Sequence, residues 1–109
     1  MWPWRTSSLF RFTPDIDEAD QAELRQRVEA SSNDIGGMKE LRFARLVPAE
    51  SARGYQYLMS MVFENKADVG IYMDHPVHID LAEWCVARGC EFLYFDYDPQ
   101  LAAALRRPS

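Results

Sequence analysis

The sequence predicts an α+β domain built on one four-stranded antiparallel sheet. The chain has 109 residues, the length of one ordinary domain. Its hydrophobic patterns give a strand, a helix, two strands, a helical region and a last strand, which is the βαββαβ order of the ferredoxin-like fold. Apolar residues occupy both faces of the later strands, so both faces of the sheet should be covered. Residues 1–109 are expected to form a single domain with its core at about residues 8–98.

The first strand and the first helix follow from a short apolar run and a capping signal. The strand covers Leu9–Phe12 and ends before the proline at position 14. Asp15 or Asp17 can cap the next helix, because a carboxylate oxygen accepts hydrogen bonds from the free amides of the first turn. That helix should run to about position 31, with Leu24 and Val28 on its buried side.

Two strands joined by a polar loop form the next unit. The strands cover residues 41–46 and 55–63, and the loop of residues 48–54 favours a hairpin. Side chains alternate between the faces of a strand. One face of the second strand carries Tyr55, Tyr57, Met59, Met61 and Phe63, and the other carries Leu58, Ser60 and Val62.

A proline divides the helical region that follows. Residues 65–73 are helical, and Pro76 suits the first turn of a new helix capped by Asp74 or His75. Gly89 ends this helix, because glycine adopts the left-handed conformation found at helix ends. Residues 91–97 form the last strand, and the residues from position 99 onward are compatible with a short C-terminal helix.

The helices can cover only one face of this sheet. Apolar residues on the other face would then meet water, and a second copy of the sheet is the simplest cover. The sequence therefore predicts a homodimer.

Composition excludes several classes of partner. The net charge is −5 and the longest basic run is Arg106-Arg107, which argues against nucleic acids and anionic membranes. No segment approaches the ~20 apolar residues of a membrane span, and the N-terminal residues lack the apolar core of a signal peptide. Cys85 and Cys90 fit no zinc spacing, so reduced thiols and a cytoplasmic location are expected, with no metal and no cofactor.

The candidate catalytic residues centre on the segment that holds both histidines. His78 shares a helical face with Leu81 and Ala82, so its imidazole should point toward the sheet. A carboxylate, here Asp96, would fix the tautomer of such an imidazole. The other ring nitrogen could then take a proton from a carbon next to a carbonyl, and Tyr72 could donate a hydrogen bond to the enolate oxygen. Tyr72 can reach His78 only if the helix breaks at His75-Pro76.

Structural interpretations compete with each of these roles. His78 could be a satisfied core histidine, and His75 more often caps or braces a bend than binds a substrate. The two histidines could bind a metal, but they lack a clear third ligand. Large side chains such as Phe10, Met59 and Met61 could fill the space that a substrate would need.

Four short motifs in this chain resemble a known family. They are Gly54-Tyr55, Val62-Phe63-Glu64, Tyr72-x-x-His75-Pro76-x-His78 and Phe95-Asp96-Tyr97. Together they resemble the stress-responsive dimeric α/β-barrel domains, known as Dabb, over roughly residues 9–99. The resemblance implies a dimer whose two sheets form a dimeric α+β barrel with the helices outside. Its best-understood enzyme, olivetolic acid cyclase, performs a cofactor-free intramolecular aldol condensation on a linear polyketide thioester.

The resemblance also implies roles for particular residues. It assigns catalysis to His78, assisted by Tyr72 and Asp96. Substrate contacts are expected at these positions: Phe10, Leu24, Val28, Met59, His75, Leu81 and Ala82. The chain departs from the cyclase near Thr6, where the cyclase has a histidine, and near Val28, where it has a pocket tyrosine.

Two functions from different classes follow. The first is a cofactor-independent polyketide cyclase or related lyase with a polyketide-like small-molecule substrate and a polyketide synthase as a potential upstream partner. It predicts an apolar cavity at His78. The second is a non-catalytic, stress-responsive ligand-binding dimer with a filled core. A haem-dependent role is a weaker third option, because the sequence offers no obvious axial-ligand pocket.

Overall fold

The computed structural model describes residues 4–96 and confirms the predicted order of elements. The strands are β1 (Trp4–Phe12), β2 (Met38–Arg45), β3 (Tyr57–Phe63) and β4 (Cys90–Asp96). The helices are α1 (Glu18–Asp34), α2 (Lys66–Asp74) and α3 (Pro76–Val86), and a short 3-10 turn lies at Glu50–Ala52. The predicted C-terminal helix lies outside the described residues.

The four strands form one antiparallel sheet in the order β2-β3-β1-β4. The predicted hairpin between β2 and β3 is confirmed, and β1 lies at the centre between β3 and β4. The molecule is therefore an α+β, ferredoxin-like domain. Ser8, in the middle of β1, lies opposite Met59 on β3 and Tyr94 on β4, and this level of the sheet becomes the floor of the candidate site.

The starts of β1 and β3 differ from the sequence prediction for a physical reason. β1 begins at Trp4 instead of Leu9, and the added residues include polar Arg5, Thr6 and Ser7. Their backbones pair with β3, and from Thr6 onward also with β4, so strand pairing extends β1 beyond its apolar run. The β3 strand begins at Tyr57, because the turn at Arg53 and Gly54 is followed by two residues outside the strand.

Side-chain caps set the starts of the three helices. The Asp17 side chain accepts a hydrogen bond from the Asp20 amide at 2.8 Å, which confirms it as the cap of α1. Asn65 caps α2 in the same way. Nδ1 of His75 accepts from the Val77 amide at 3.1 Å, so His75 is the cap of α3 and Pro76 takes its first position, as predicted.

The helices cover one face of the sheet and leave the other open. Leu24 and Val28 on α1 are fully buried, which confirms the predicted inner side of that helix. On the open face, Leu93 and Phe95 of β4 remain 46% and 49% exposed. Within residues 4–96, no helix is long and apolar enough to cross a membrane.

Candidate active site

A break between α2 and α3 brings Tyr72 and His78 together. The α2 helix ends at Asp74, His75 is extended with ψ 136°, and Pro76 starts α3. In one unbroken helix the two side chains would point about 120° apart. After the break, the centroid of the Tyr72 ring lies 4.4 Å from that of the His78 ring. The sequence hypothesis that the proline makes this convergence possible agrees with this geometry.

A cavity of about 190 Å³ lies between this ring pair and the sheet. Its roof comes from the end of α2 and from α3, and its floor comes from β1, β3 and β4. The lining residues are Ser8, Phe10, Met59, Tyr72, Met73, His78, Leu81, Ala82, Phe92 and Tyr94. Six of the ten are apolar, so the four polar side chains share a partly open cavity with a mainly apolar surface.

The floor of the cavity changes from polar to apolar along β1 and β4. Directly paired residues of antiparallel strands share a face. The successive pairs on the helix side are Thr6 with Asp96, Ser8 with Tyr94, and Phe10 with Phe92. The Phe10 and Phe92 rings meet edge to face, with centroids 5.2 Å apart. Hydroxyl groups therefore stand at one end and an aromatic pair at the other.

His78 is uncharged at neutral pH in this environment. Burial lowers its pKa from the ordinary value of 6.5, because a charged imidazolium loses its hydration there. Its Nδ1 atom is buried and has no hydrogen-bond partner among residues 4–96. A neutral imidazole can accept a proton, so this side chain can act as a base.

The phenols of Tyr72 and Tyr94 stay protonated. Burial, and to a smaller extent the neighbouring Tyr94, raise the pKa of Tyr72 above its ordinary value of 10.0. Burial and the nearby Asp96 carboxylate raise the pKa of Tyr94 to about 12. Both side chains can therefore donate a hydrogen bond to an oxygen in the cavity.

Asp96 does not occupy the predicted position beside His78. It is paired with Thr6, one level along the sheet from Tyr94, and its side chain is exposed. The hydrogen bond predicted between it and the imidazole is not formed at Nδ1. Along β4, Tyr94 lies between Asp96 and the cavity. The carboxylate therefore raises the pKa of the Tyr94 phenol instead of bonding to Nδ1 of the imidazole.

The predicted substrate contacts divide into two groups. Phe10, Met59, Leu81 and Ala82 line the cavity together with Tyr72 and His78. The structure does not bring Leu24, Val28 or His75 to it. The first two are fully buried within the core cluster, and the His75 ring caps α3.

Sequence reasoning missed three residues of the lining: Met73, Phe92 and Tyr94. The alternation along β4 already placed Phe92 and Tyr94 on one face with Asp96. Their approach to Ser8 and Phe10 depends on the pairing register between β1 and β4, which the sequence does not state.

A larger groove, of about 760 Å³, lies between α1 and β2. It is open to solvent, as the smaller cavity partly is, and the cations on its rim already have partners. Arg25 bonds to Glu29 at 3.0 Å and Arg45 bonds to Asp15 at 2.8 Å. The smaller cavity is therefore the better candidate for an active site. Among the described residues, no three His, Cys, Asp or Glu side chains stand close enough to hold a metal ion.

Comparisons with known proteins agree with this fold. Residues 7–99 match the family model of Dabb, the stress responsive A/B barrel domain. No curated protein gives a significant match. The Arabidopsis thaliana protein At3g17210 is 26% identical with a TM-score of 0.79, and the match covers 94% of this chain and 100% of that one.

Two further structures share the fold at lower identity. A dimeric ferredoxin-like protein of unknown function from Thermobifida fusca is 15% identical with a TM-score of 0.75, over 87% of this chain and 89% of that one. The hydroxynitrile lyase from Passiflora edulis is 13% identical with a TM-score of 0.72, over 89% of this chain and 94% of that one. With the family model matching most of its length, the chain belongs to the Dabb family of stress-responsive A/B barrel domains.

Proposed function

We propose that this protein is a cofactor-independent enzyme that moves a proton at a carbon next to a carbonyl group. One observation carries the proposal: a neutral imidazole and two protonated phenols, His78, Tyr72 and Tyr94, line one otherwise apolar cavity. A base beside hydrogen-bond donors is the arrangement that forms and stabilises an enolate.

The reaction follows from these groups. The His78 imidazole takes a proton from the α-carbon, and the electron pair of that C–H bond moves onto the carbonyl oxygen. Tyr72 donates a hydrogen bond to the enolate oxygen, whose charge the apolar walls do not screen. The enolate carbon then attacks a second carbonyl of the same molecule, and the imidazolium returns its proton to the new alkoxide. Loss of water completes an aldol-type cyclisation, the polyketide-cyclase form of the proposal.

Asp96 has an indirect role in this scheme. Its carboxylate lies beside Tyr94 and contributes to the raised pKa of that phenol. We therefore treat Asp96 as a positioning residue that keeps Tyr94 protonated, and a bound substrate oxygen would accept the single hydroxyl proton of Tyr94 in place of the carboxylate. Orientation of the His78 tautomer by Asp96 would require a side-chain movement on substrate binding.

A homodimer is part of the proposal. The open face of the sheet carries Leu9, Leu58, Leu93 and Phe95, as the pairing register places them on the side away from the helices. An exposed apolar sheet face of this kind is a typical interface. Several structures with this fold are described as dimeric. A second copy of the sheet would bury this face and leave the cavity, on the helix side, within each protomer.

A non-catalytic ligand-binding dimer is the second candidate. Two observations favour it: the cavity lies below the usual range of about 300–1,000 Å³ for small-molecule sites, and His78 lacks a carboxylate partner at Nδ1. This candidate requires binding without proton transfer.

Hydrogen–deuterium exchange separates the two candidates. Ethyl acetoacetate carries an acidic C–H bond between two carbonyls, and its exchange in D₂O is followed by proton NMR. We expect the protein to accelerate exchange over buffer, and His78→Gln to abolish the acceleration. His75→Asn is the matched control, because asparagine can also cap a helix and the change leaves the cavity intact. Binding of the ester with no acceleration would favour the ligand-binding candidate.

A further inference from the structure

The size of the cavity limits what it can hold. A water molecule takes up about 30 Å³ of liquid. A cavity of about 190 Å³ therefore has the volume of about six water molecules, which suits a small organic molecule such as a short diketone. A long polyketide chain exceeds this volume.

The Phe10–Phe92 pair at the apolar end of the cavity limits the length of a ligand. Phe10 is 2% exposed and packs edge to face against both Phe92 and Phe43, with centroids 5.2 and 6.4 Å away. Phe92 lies on β4, an edge strand, and is 39% exposed. Its ring can therefore be removed at less cost to the core than that of Phe10, and it is the outer half of the wall that stops a chain from extending along the sheet.

The polar end offers two hydroxyl donors instead of one. Tyr72 comes from the roof and Tyr94 from the floor, and the two phenols are close enough for Tyr94 to raise the pKa of Tyr72. Both side chains line the same cavity as His78. A substrate with a single carbonyl would accept from only one of these donors, whereas a substrate with two carbonyls would accept from both.

We propose that Tyr94 and Phe92 set the specificity of this site for a short β-dicarbonyl compound, with one oxygen bound by Tyr72, the other by Tyr94, and the chain stopped by the Phe10–Phe92 pair. This rests on the proton-transfer step of the proposed function, not on the cyclisation, and narrows the substrate class of that step. The carbon between the two carbonyls would then face His78, which is where the most acidic C–H bond of such a compound lies.

Binding of a matched series of diketones tests the size limit. Acetylacetone and nonane-2,4-dione share a head group and differ by methylene groups at one end. Each buried methylene can strengthen binding about fourfold. Titration calorimetry should show the two ligands within about fourfold of each other in the wild type. In Phe92→Ala the longer ligand should gain at least about tenfold over the shorter, because the vacated space admits its chain.

Two variants keep the size test interpretable. Phe92→Leu should give an intermediate ratio and serves if Phe92→Ala does not fold. Ile79→Ala is the matched control, because Ile79 neighbours His78 in sequence but is 43% exposed and lies outside the cavity; its ratio should equal that of the wild type. A wild type that already prefers the longer ligand, or a ratio unchanged in both Phe92 variants, would overturn the size limit.

The second donor is tested by Tyr94→Phe. Loss of one hydrogen bond should weaken acetylacetone about two- to twelvefold and leave the monoketone pentan-2-one unchanged. Equal effects on both ligands, or none, would overturn the role of Tyr94. These are binding measurements, so the predicted pattern without deuterium exchange would refute only the catalytic proposal, and exchange without the pattern would refute only this inference.

Discussion

Replacing His78 with leucine is expected to stabilise the protein while removing the proposed proton-transfer activity. Leucine has a volume close to that of histidine and would meet apolar neighbours in the cavity, among them Leu81, Ala82 and Met59. The change removes the buried Nδ1 atom, which has no hydrogen-bond partner in the described part of the chain. A buried polar group that lowers the stability of the fold is typical of a functional site.

The size of the effect follows from the burial of that atom. A buried polar atom without a partner costs about 1–3 kcal/mol. Because the His78 side chain as a whole is only half-buried, we expect the lower end, about 1 kcal/mol, or about 4 °C in Tm.

The effect should also depend on pH in a defined direction. Burial lowers the pKa of folded His78, so the unfolded chain binds a proton more readily than the folded one. The wild type therefore loses stability as the pH falls from the unfolded pKa of about 6.5 toward the lower folded value. His78→Leu lacks this loss, and its advantage should be larger at pH 5 than at pH 7.

Urea denaturation of both proteins at pH 7 and pH 5, followed by tryptophan fluorescence at one fixed protein concentration, measures these differences. The fixed concentration keeps any contribution from dimer dissociation the same for both proteins. A His78→Leu protein that is less stable than the wild type at both pH values would refute the reasoning. Nδ1 would then have a partner in solution, and His78 would be a structural residue.

Three further predictions concern the fold and the assembly. Gly37→Ala should destabilise the fold by more than about 1 kcal/mol, because the φ of Gly37 is +81° and a Cβ would lie 2.4 Å from the Asp68 side chain. Gly36→Ala is the control, because its Cβ would meet nothing within 4 Å. Thermal denaturation compares the two variants. Phe95→Glu places a charge on the open sheet face and should convert the dimer to a monomer in sedimentation velocity. Asp17→Ala removes the cap of α1 and should cost about 1 kcal/mol in urea denaturation.

The elements could be predicted from the sequence because their signals are local. Asp17 and Asn65 cap helices through their own side chains, and Pro76 starts one through its fixed backbone angle. The convergence of Tyr72 and His78 follows from that same proline, so the sequence could also predict this half of the site. None of these signals requires knowledge of another element.

The other half of the site depends on contacts between distant segments. Tyr94 reaches the cavity because β4 pairs with β1 in a register that sets it opposite Ser8. That register also places Asp96 opposite Thr6, beyond Tyr94 on β4. The sequence pattern could not reveal this position. Leu24 and Val28 illustrate the same limit, since a buried helix face predicts burial but not which space the side chain borders.

The pH dependence of catalysed deuterium exchange tests the central claim, that neutral His78 is the base of this cavity. With ethyl acetoacetate in D₂O, the rate above buffer should rise with pH through a midpoint below 6.5 and stay level above it, because the imidazole is then fully neutral. His78→Gln should remove this curve entirely. No catalysed exchange at any pH, or a catalysed rate that His78→Gln leaves unchanged, would show that His78 is not the base of this cavity.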